Sequence, residues 1–473
     1  MISPSFHPEP IRAVCERRRK LAFALTPRSI GLLTAGFLLL IPGFYNARLG
    51  YAMLVWDAIV LIAAVLDGLR LPHASLLSIE RSWSNAPALD SETEIELTVM
   101  NQGRVIVECM LIDDLPAALS PEPVRQRVTA FPRVAARRRF RVTPRERGDW
   151  ETGFVYLRYR SPLGLTERWA RSGLTQGVRI YPALRATEEQ QMFLARSRQI
   201  DLQLRLARQR GLGRDFESLR DYREGDDLRD VCWTATARRG GLITRQYQTE
   251  RSQAVWVVLD CGRLMRARIS GATEEAGPGQ DGNAQVHSKL DFACSTAVAL
   301  AQLALYGGDR VGLLVYGQTV QQRLLPGRGA AHLRQFIELL AQARAETSEA
   351  NHLRATAVLN RLQPRRSLIL WITDLAETAM RPEVIDGAIQ LLRRHVLLFV
   401  AMAQPEIERV AGARPKSVDE MFRAAAAQEM AARRELLLAR LREHGALTLD
   451  LDPDRLTSAV LNQYLTVKER AMV

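Results

Sequence analysis

The sequence predicts an α/β domain with a doubly wound parallel sheet, preceded by an all-β sandwich-like domain and an N-terminal transmembrane helical hairpin. Three observations indicate this fold class: two apolar segments near the N-terminus, short alternating strands after them, and uncharged strands separated by helices in the second half. The predicted boundaries are 1–28 for a basic N-terminal segment, 29–70 for the hairpin, 75–182 for the β-domain, 183–253 for a linker helix and charged block, and 254–473 for the α/β domain.

Charge and cysteine content narrow the class of protein. The formal net charge is +13, and arginine supplies nearly all of it, which favours acidic partners or anionic lipid surfaces. The five cysteines are scattered and lack C-x-x-C spacing. We therefore expect buried free thiols in a reducing compartment, without a disulfide framework or a zinc site.

Residues 30–45 and 49–66 are the two apolar segments, and a short link joins them. A spanning helix needs about 20 apolar residues, so the second segment is adequate and the first is marginal. The link carries only Arg48, whereas several basic residues lie on both flanks. The positive-inside rule therefore places both termini and the soluble domains on the cytoplasmic side of the inner membrane. The alternative is a buried helical hairpin of a soluble protein.

Asp57 lies near the middle of the second apolar segment. A carboxylate at that depth costs about 2.5–3.5 kcal/mol on insertion scales. We expect it to face the first helix or another subunit, near Thr34 or in its protonated form. A proton or ion pathway would need a second ionisable residue at the same depth, and the sequence places none there.

The region 75–182 has the pattern of a β-sandwich, with short strands at roughly ten-residue spacing. In TEIELTVMNQ, alternate apolar residues share one face. Arg137, Arg138 and Arg139 follow one another in a later strand. They either block sheet-to-sheet aggregation at an edge strand or form a binding patch.

Two further segments have recognisable patterns but no predicted catalytic or binding role. Residues 191–211 form a basic amphipathic helix, which either links domains or lies on a membrane surface. GPGQDG at 277–282 matches a dinucleotide-binding pattern by letters only, since no helix opens at its third glycine. We expect a flexible loop there.

The second half contains five short apolar strands, in AVWVVLD, RVGLLVYG, RSLILWITDL, HVLLFVAM and LTLDLD. Intervening helices indicate a parallel sheet with helices on both faces. Ligands in such sheets bind beyond the carboxyl ends of the strands. Asp260 and Asp374 stand at two of these ends.

A long motif precedes these strands: GRDFESLRDYREGDDLRDVCWTATARRGGLITRQYQTE. Together with SKLDFA, GGDRVGLLVYG, LIDDLP, PRERGDWETG and SPLGL, it resembles the domain of unknown function 58 family over nearly the whole chain. The resemblance implies a von Willebrand factor type A-like domain in a bacterial, membrane-anchored accessory protein that is not itself an enzyme. It also implies MoxR-type AAA+ ATPases and other von Willebrand A proteins as partners.

Von Willebrand A domains often hold a divalent ion with D-x-S-x-S, a distant threonine and a further aspartate. By this resemblance Asp260 and Asp374 match the two acids, but Gly262 and Leu264 stand where the hydroxyls belong, and Arg263 adds a positive charge. Thr347 is a positional match for the threonine. The resemblance therefore implies a degenerate site with no cofactor, or weak Mg²⁺ or Mn²⁺ binding. Alternatively, the two acids accept backbone hydrogen bonds at the strand ends.

The charged block 213–240 has two interpretations. It is either a packed structural link between domains, in which Trp233 starts a buried strand or helix, or a docking surface for a partner. Surface ion pairs contribute little stability each, which keeps the docking interpretation open. The candidate partner-binding residues are Arg214, Asp215, Glu217, Arg220, Asp221, Arg223, Asp226, Asp227, Arg229 and Trp233.

Two other functions fit parts of the sequence. An arginine-rich surface is typical of nucleic-acid binding, but aromatic residues make up 6% of the chain and do not interleave with the basic runs. No specific nucleic acid is therefore expected. A metal-dependent hydrolase has only the acid pair at the sheet edge in its favour.

Overall fold

The computed structural model divides the chain into two compact units, 1–183 and 184–473. The predictions for 191–211 and 277–282 fall almost entirely outside the residues that it describes. All five cysteines are free and buried, as expected from their spacing. The structure describes residues 8–17, 23–39, 47–183, 192–193, 196, 215–223, 231–248, 253–270, 286–375, 383–403 and 405–470.

The first unit is rich in β-structure, as predicted. In the described residues nine strands form one antiparallel sheet, eight of them in a continuous path, and two further strands pair with each other. The path runs β6-β5-β9-β10-β1-β3-β4-β7, with β2 also paired to β10. The strands are β1 Ile11–Arg17, β2 Phe23–Leu25, β3 Leu77–Trp83, β4 Thr93–Asn101, β5 Val107–Asp113, β6 Val124–Ala130, β7 Ala135–Val142, β8 Gly148–Thr152, β9 Val155–Arg160, β10 Thr166–Ser172 and β11 Gln176–Ile180.

Strand β1 corrects the prediction that 1–28 is a separate basic segment. Its first half pairs with β3, and its second half, from Cys15, pairs with β10. The strand therefore joins two groups of strands whose inner faces share one hydrophobic core. Cys15 is the side chain that β1 buries in this core, while most of its other side chains face solvent, which explains why the strand lacks a strong sequence pattern.

The inner faces of the strands follow the alternation seen in the sequence. Along β4 every second residue is buried, and Ile95, Leu97 and Val99 are almost completely inaccessible. Such alternation fixes which face turns inward, because a slip of one residue would expose the whole apolar set. Strand β7, which carries Arg137 to Arg139, lies at one end of the strand path, as predicted for an edge.

A fully buried arginine ties this unit together. The Arg81 side chain on β3 forms an ion pair with Asp113 on β5. It also donates to the Thr152 hydroxyl and to the Leu174 carbonyl, both at 2.8 Å. One guanidinium thus satisfies polar groups from three other chain segments inside an apolar core, which its planar fork of donors makes possible.

The apolar segments form two helices, α1 Pro27–Gly36 and α2 Ala47–Arg70, with a 3₁₀ turn at Phe37–Leu39. Among the described residues, one helix is long and apolar enough to cross a membrane: Tyr51–Arg70, with mean hydropathy 2.1 and 22% of its apolar window buried. Helix α1 is shorter than the predicted segment 30–45, part of which lies outside the described residues.

Asp57 faces the first helix, as expected. A methyl group added to Gly36 of α1 would lie 2.7 Å from Asp57 Oδ1, so the glycine permits this close approach. Trp56 Nε1 donates to the Leu32 carbonyl at 2.9 Å and holds the same pair of helices together. The Thr34 hydroxyl donates to its own helix, to the Gly31 carbonyl, and not to Asp57.

The carboxyl end of α2 is fastened to the strands. Buried Asp67 accepts hydrogen bonds from the Leu165 amide at 3.2 Å and from the Ser161 hydroxyl. Arg168 on β10 donates to the carbonyls of Gly68 at 2.9 Å and Leu71 at 3.2 Å. Carbonyls at the carboxyl end of a helix have few partners within the helix, and a cation there also complements the helix dipole.

The second unit is an α/β domain around a six-stranded sheet of order β18-β17-β14-β19-β20-β21. Its strands are β12 Asp215–Asp221, β13 Ile243–Gln248, β14 Ala254–Asp260, β15 Arg268–Ser270, β16 Val286–Ser288, β17 Arg310–Tyr316, β18 Val320–Gly327, β19 Leu368–Thr373, β20 Val396–Met402 and β21 Leu447–Leu451. Its helices are α3 Trp233–Arg239, α4 Lys289–Tyr306, α5 Gly329–Ala341, α6 His352–Leu362, α7 Glu383–Leu392, α8 Pro405–Gly412, α9 Val418–Glu443 and α10 Pro453–Glu469.

The sheet is parallel except at one edge. Strands β14, β17, β19, β20 and β21 run in the same direction, as predicted. Strand β18 forms a hairpin with β17 and runs antiparallel, which the sequence analysis did not anticipate. Its side chains are only partly buried, so it lacks the continuous apolar run by which the other strands are recognised.

We predict that Arg81→Met destabilises the first unit by about 3–5 kcal/mol, because it leaves the Asp113 carboxylate buried without its partner. Hydrogen–deuterium exchange of the full chain in detergent should show faster exchange in peptides from β3 and β5. Arg137→Met is the matched control, since that arginine pairs with Glu96 at the surface and its side chain is 66% exposed. Equal exchange in both variants would contradict a structural role for the buried pair.

Candidate functional site

The candidate site lies where two central strands of the second unit end. Asp260 closes β14, and Asp374 directly follows β19, its neighbour in the sheet. The chain order reverses at β14, since β17 lies on one side of it and β19 on the other. Such a switch point is where open α/β sheets form their ligand crevice. The predicted meeting of the two acids is therefore present.

Asp260 is held by short hydrogen bonds. Its Oδ1 atom accepts from the Gly262 amide at 2.7 Å, and its Oδ2 atom accepts from the Thr373 hydroxyl at 2.6 Å. The carboxylate is 4% exposed. The prediction that it accepts a backbone hydrogen bond at the strand end is thus confirmed, and the hydroxyl comes from β19 instead of the D-x-S-x-S loop.

Asp374 has a different partner. The ammonium group of Lys289, the first residue of α4, forms a hydrogen-bonded ion pair with Asp374 Oδ2. Both side chains are at most 1% exposed. A buried charge is tolerated when a hydrogen-bonded counter-charge compensates for its lost hydration, and each of these two groups serves the other in that way.

Lys289 is the residue at this site that the sequence analysis missed. A signal was available, because only four of the 65 basic residues are lysines and this one opens a helix. A cation in the first turn of a helix is unfavourable, because it opposes the helix dipole. The adjacent capping box of Ser288 and Asp291 begins the helix. The ion pair with Asp374 offsets the unfavourable position of the lysine.

The ion-pair network extends outward through Arg434 on α9. Its guanidinium lies 3.7 Å from Asp374 Oδ1 and donates to Asp450 of β21 at 3.0 Å. The Arg434 side chain is only 12% exposed, so the network links the buried edge of the sheet to the surface. The alternating positive and negative side chains compensate for one another's lost hydration.

A surface loop covers the Asp260 side of the site. The Arg263 amide donates to the Ser348 carbonyl at 2.9 Å, and the Glu346 amide donates to the Cys261 carbonyl at 2.7 Å. Thr347, the positional match for a metal-binding threonine, lies in this loop with an exposed side chain. A side chain at Gly262 would come within 2.8 Å of a backbone nitrogen of the loop, so the close packing itself requires glycine.

The residues present do not fit the divalent-cation site that the resemblance implies. Hard cations require several oxygen ligands, whereas here one carboxylate is bound by an ammonium and the other by a hydroxyl and an amide. Within the described ranges, no group of three or more His, Cys, Asp or Glu side chains is placed to hold a metal ion. The Arg263 side chain is exposed, so the charge that opposes a cation comes from Lys289.

Burial changes the pKa of two groups at this edge of the sheet, Asp260 and Lys289. It raises the pKa of Asp260 to about 6, although the hydrogen bonds from Thr373 and Gly262 work in the opposite direction. Burial also lowers the pKa of the Lys289 ammonium, and the Asp374 carboxylate opposes that shift. Both groups are thus part of a buried polar cluster at this edge of the sheet.

The charged block forms a separate small substructure. Strand β12 pairs antiparallel with β13, and α3 lies between them in the sequence. Ile243 holds this helix by donating to the Thr236 hydroxyl at 3.0 Å and accepting from the Cys232 amide at 2.8 Å. Gly240 ends the helix with a left-handed backbone (φ 72°), which glycine adopts without strain.

Trp233 corrects one prediction about this block. It does start a helix, but the helix buries none of its own residues and the Trp233 side chain is 65% exposed. Arg220, Asp221 and Arg223 lie on or just after β12, partly or largely exposed. For the other predicted partner-binding residues the structure describes no side chain; these are Arg214, Asp215, Glu217, Asp226, Asp227 and Arg229.

The chain matches one protein family over this region. Residues 218–411 match the family described as protein of unknown function DUF58, which confirms the resemblance for that stretch of the chain. Uncharacterized proteins of Mycobacterium tuberculosis (strain H37Rv) and Mycobacterium bovis are similar relatives. Each is 26% identical over 277 residues, which cover 55% of this chain and 81% of the relative.

Two solved structures are similar to the chain at low identity. The conserved hypothetical protein BatB from Bacteroides thetaiotaomicron is 13% identical, over 46% of this chain and 100% of that one, with a TM-score of 0.31. A von Willebrand factor type A structure from Catenulispora acidiphila is 13% identical, over 48% and 44%, with a TM-score of 0.27. Scores this low carry no conclusion, so the α/β architecture rests on the strand order itself.

We predict that Lys289→Met destabilises the second unit by about 3–5 kcal/mol, because Asp374 loses its buried counter-charge. Adding Asp374→Asn should recover most of that loss. Thermal unfolding of the four proteins in a double-mutant cycle measures the coupling.

A second buried lysine provides the control for this cycle. Lys468 pairs with Asp309 at 3.1 Å and is also almost inaccessible. Lys468→Met should therefore be destabilising by itself but additive with Asp374→Asn. A coupling between Lys468 and Asp374 as large as that for Lys289 would show that the cycle reports general destabilisation.

Asp260→Asn should change the pH dependence of stability. With a folded pKa of about 6, Asp260 binds a proton more tightly in the folded than in the unfolded chain. The contribution of Asp260 to the stability of the natural protein therefore falls as pH rises from about 4 to 6. The variant has no titrating carboxyl at this position and does not lose this contribution. Its stability relative to the natural chain should therefore rise by about 3 kcal/mol between pH 4 and pH 7. Melting curves across that range measure it, and a constant difference would refute the raised pKa.

Proposed function

We propose that this chain, with its DUF58 segment at 218–411, is a membrane-anchored interaction protein that acts with a MoxR-type AAA+ ATPase. In this proposal the von Willebrand A-like domain is a recognition module with no turnover and no metal of its own. The Lys289–Asp374 ion pair supports this, because it fills the position at the sheet edge where such domains otherwise hold a cation.

Strand pairing supports the anchoring arrangement. Strand β1 precedes the apolar segments and β3 follows them, and the two strands are hydrogen-bonded neighbours. Strands cannot pair across a bilayer, so both ends of the apolar pair would lie on one side of it. The chain would then cross and return through 30–45 and 49–66, and the basic flanks assign the shared side to the cytoplasm of the inner membrane.

Exposed Trp233 is the observation that carries the recognition role. Two other apolar side chains of the same substructure are also exposed, Leu219 at 42% and Leu242 at 44%. The Tyr222 amide donates to the Leu242 carbonyl at 2.9 Å, which places this leucine beside the end of β12. A tryptophan amid apolar and charged neighbours is the usual composition of an interface hot spot.

The partner assignment combines charge with the family resemblance. A formal charge of +13 favours acidic partner surfaces, and the arginines of the block are suited to bind carboxylates with two parallel hydrogen bonds. The resemblance implies the ATPase and other von Willebrand A proteins as the partners. Membrane lipids are a further partner of the anchor, and no specific nucleic acid is part of the proposal.

Trp233→Ala tests this function. The full chain, reconstituted in lipid nanodiscs, should bind the MoxR-type ATPase of the same organism, and the variant should weaken that binding about tenfold or more. Surface plasmon resonance measures the affinity.

Phe422→Ala is the matched control, because Phe422 on α9 is equally exposed, at 67%, but lies outside the block. Its affinity should equal that of the natural chain. Absence of binding by the natural chain would refute the partnership itself. Binding that depends on Phe422 and not on Trp233 would refute only the assignment of the surface.

A further inference from the structure

A cavity of about 300 Å³ opens on the outer face of the β-strands in the first unit. It is formed by β5, β6 and β9, and β7 closes one side. Four guanidinium groups surround it, together with one carboxylate and one methionine. The lining side chains that matter here are Arg127, Arg138, Arg158, Arg160, Glu108 and Met110.

Strand register sets the geometry of this cavity. Met110 on β5 is directly opposite Arg127 on one side and Arg158 on the other. Neighbouring strands are about 4.8 Å apart, so the backbones of these two arginines are about 10 Å apart. The apolar side chain of Met110 lies between them. Two guanidinium groups at that separation can both donate to one anion placed above the methionine.

The carboxylates near the cavity do not balance its arginines. Glu167 on β10 accepts from Arg158 at 2.7 Å and lies 3.5 Å from Arg160, so one acid serves two arginines. Arg138 Nε donates to the Arg127 carbonyl oxygen at 3.0 Å. Within the described ranges, the guanidinium groups of Arg127 and Arg138 form no ion pair, which leaves donors that point to a negatively charged ligand.

Glu108 adds a second requirement for the ligand. It lies opposite Arg160 on β9 and opposite Thr129 on β6, at one end of the cavity. A carboxylate accepts hydrogen bonds but repels a second anion. The ligand that fits therefore has one anionic group, over the arginines, and hydroxyl groups that donate to Glu108.

The cavity lies close to the apolar helix within the same unit. Arg160 is followed by Ser161, whose hydroxyl donates to Asp67 in the last turn of α2. Arg160 therefore adjoins that contact, whereas Arg158 is three residues from Ser161, about 10 Å along the strand. The headgroup layer of a bilayer is about 5–8 Å thick beyond each side of the hydrocarbon core. The rim of the cavity at Arg160 thus lies at headgroup depth when α2 spans the bilayer.

We propose that this cavity binds the phosphodiester headgroup of an anionic, hydroxyl-bearing phospholipid such as phosphatidylglycerol. The phosphate lies between Arg127, Arg138 and Arg158, and the headgroup hydroxyls donate to Glu108. The inference rests on the proposed membrane anchoring. It assigns Arg138 to lipid binding, whereas its neighbours Arg137 and Arg139 pair with Glu96 and protect the sheet edge.

The test uses the full chain in mixed micelles that contain equal amounts of phosphatidylglycerol and phosphatidylcholine. The protein is re-isolated, and the bound lipids are counted by mass spectrometry. The natural chain should retain phosphatidylglycerol in preference to phosphatidylcholine. In the double variant Arg127→Gln/Arg138→Gln the apparent affinity for phosphatidylglycerol should fall about tenfold or more, because two charge-assisted contacts are lost.

Arg125→Gln is the matched control, since Arg125 is exposed on β6 two residues from Arg127 but does not line the cavity. It removes the same kind of charge and should keep the lipid preference. Arg127→Lys adds a second check, because the charge stays while the two-pronged donor is lost. It should give an intermediate affinity, and its unchanged melting temperature would confirm that the fold is intact.

Sodium phosphate and glycerol phosphate identify the source of the anion. If they bind to the natural chain through Arg127 and Arg138 while no lipid preference exists, the lipid assignment is overturned. Equal lipid preference in the double variant and the natural chain also overturns it. Alkaline carbonate extraction of membranes tests the anchoring separately: release of the natural chain would refute both proposals, whereas retention with no lipid preference refutes only this one.

Discussion

The ion pair between Lys289 and Asp374 is the interaction on which the edge of the α/β sheet depends. Breaking a buried pair is expensive because the remaining charge has no water around it. The pair joins the start of α4 to the end of β19, two elements that are distant in sequence. With Arg434 and Asp450 it also connects α9 and β21 to that edge. The position at which a parallel sheet ordinarily offers a ligand crevice is thereby occupied by the protein itself.

The first unit uses a buried charge for a different purpose. Arg81 makes an ion pair and several hydrogen bonds to three other chain segments inside the β core. An apolar residue of similar size would fill the space but would leave the buried Asp113 carboxylate without its counter-charge. Misregistered pairings of β3 would have the same consequence. The arginine therefore favours one register, in addition to any net contribution to stability.

The apolar helices are an insertion between two strands that pair with each other. Because β1 and β3 are neighbours, the chain leaves the β-domain and returns to it at nearly the same place. Asp67 and Arg168 then fasten the end of α2 to β10 and to the loop before it. A helix tied in this way cannot tilt freely relative to the strands. In the proposed arrangement, the anchor and the arginine-lined cavity would therefore keep a fixed distance from each other.

The sequence by itself determined the five parallel strands of the α/β sheet and the apolar helix of the first unit. Fully buried parallel strands are continuous apolar runs, and a helix of this length and hydropathy is a long run of mostly apolar residues. It also placed Asp260 and Asp374 at one edge, since carboxyl ends of parallel strands meet there. Only the tertiary structure decided that Lys289 pairs with Asp374, that β1 completes the β-domain, and that Trp233 faces outward. All three depend on which segments become neighbours although they are distant in sequence. Hydrophobic periodicity reports only local structure, so contacts between distant segments leave no such pattern in the sequence.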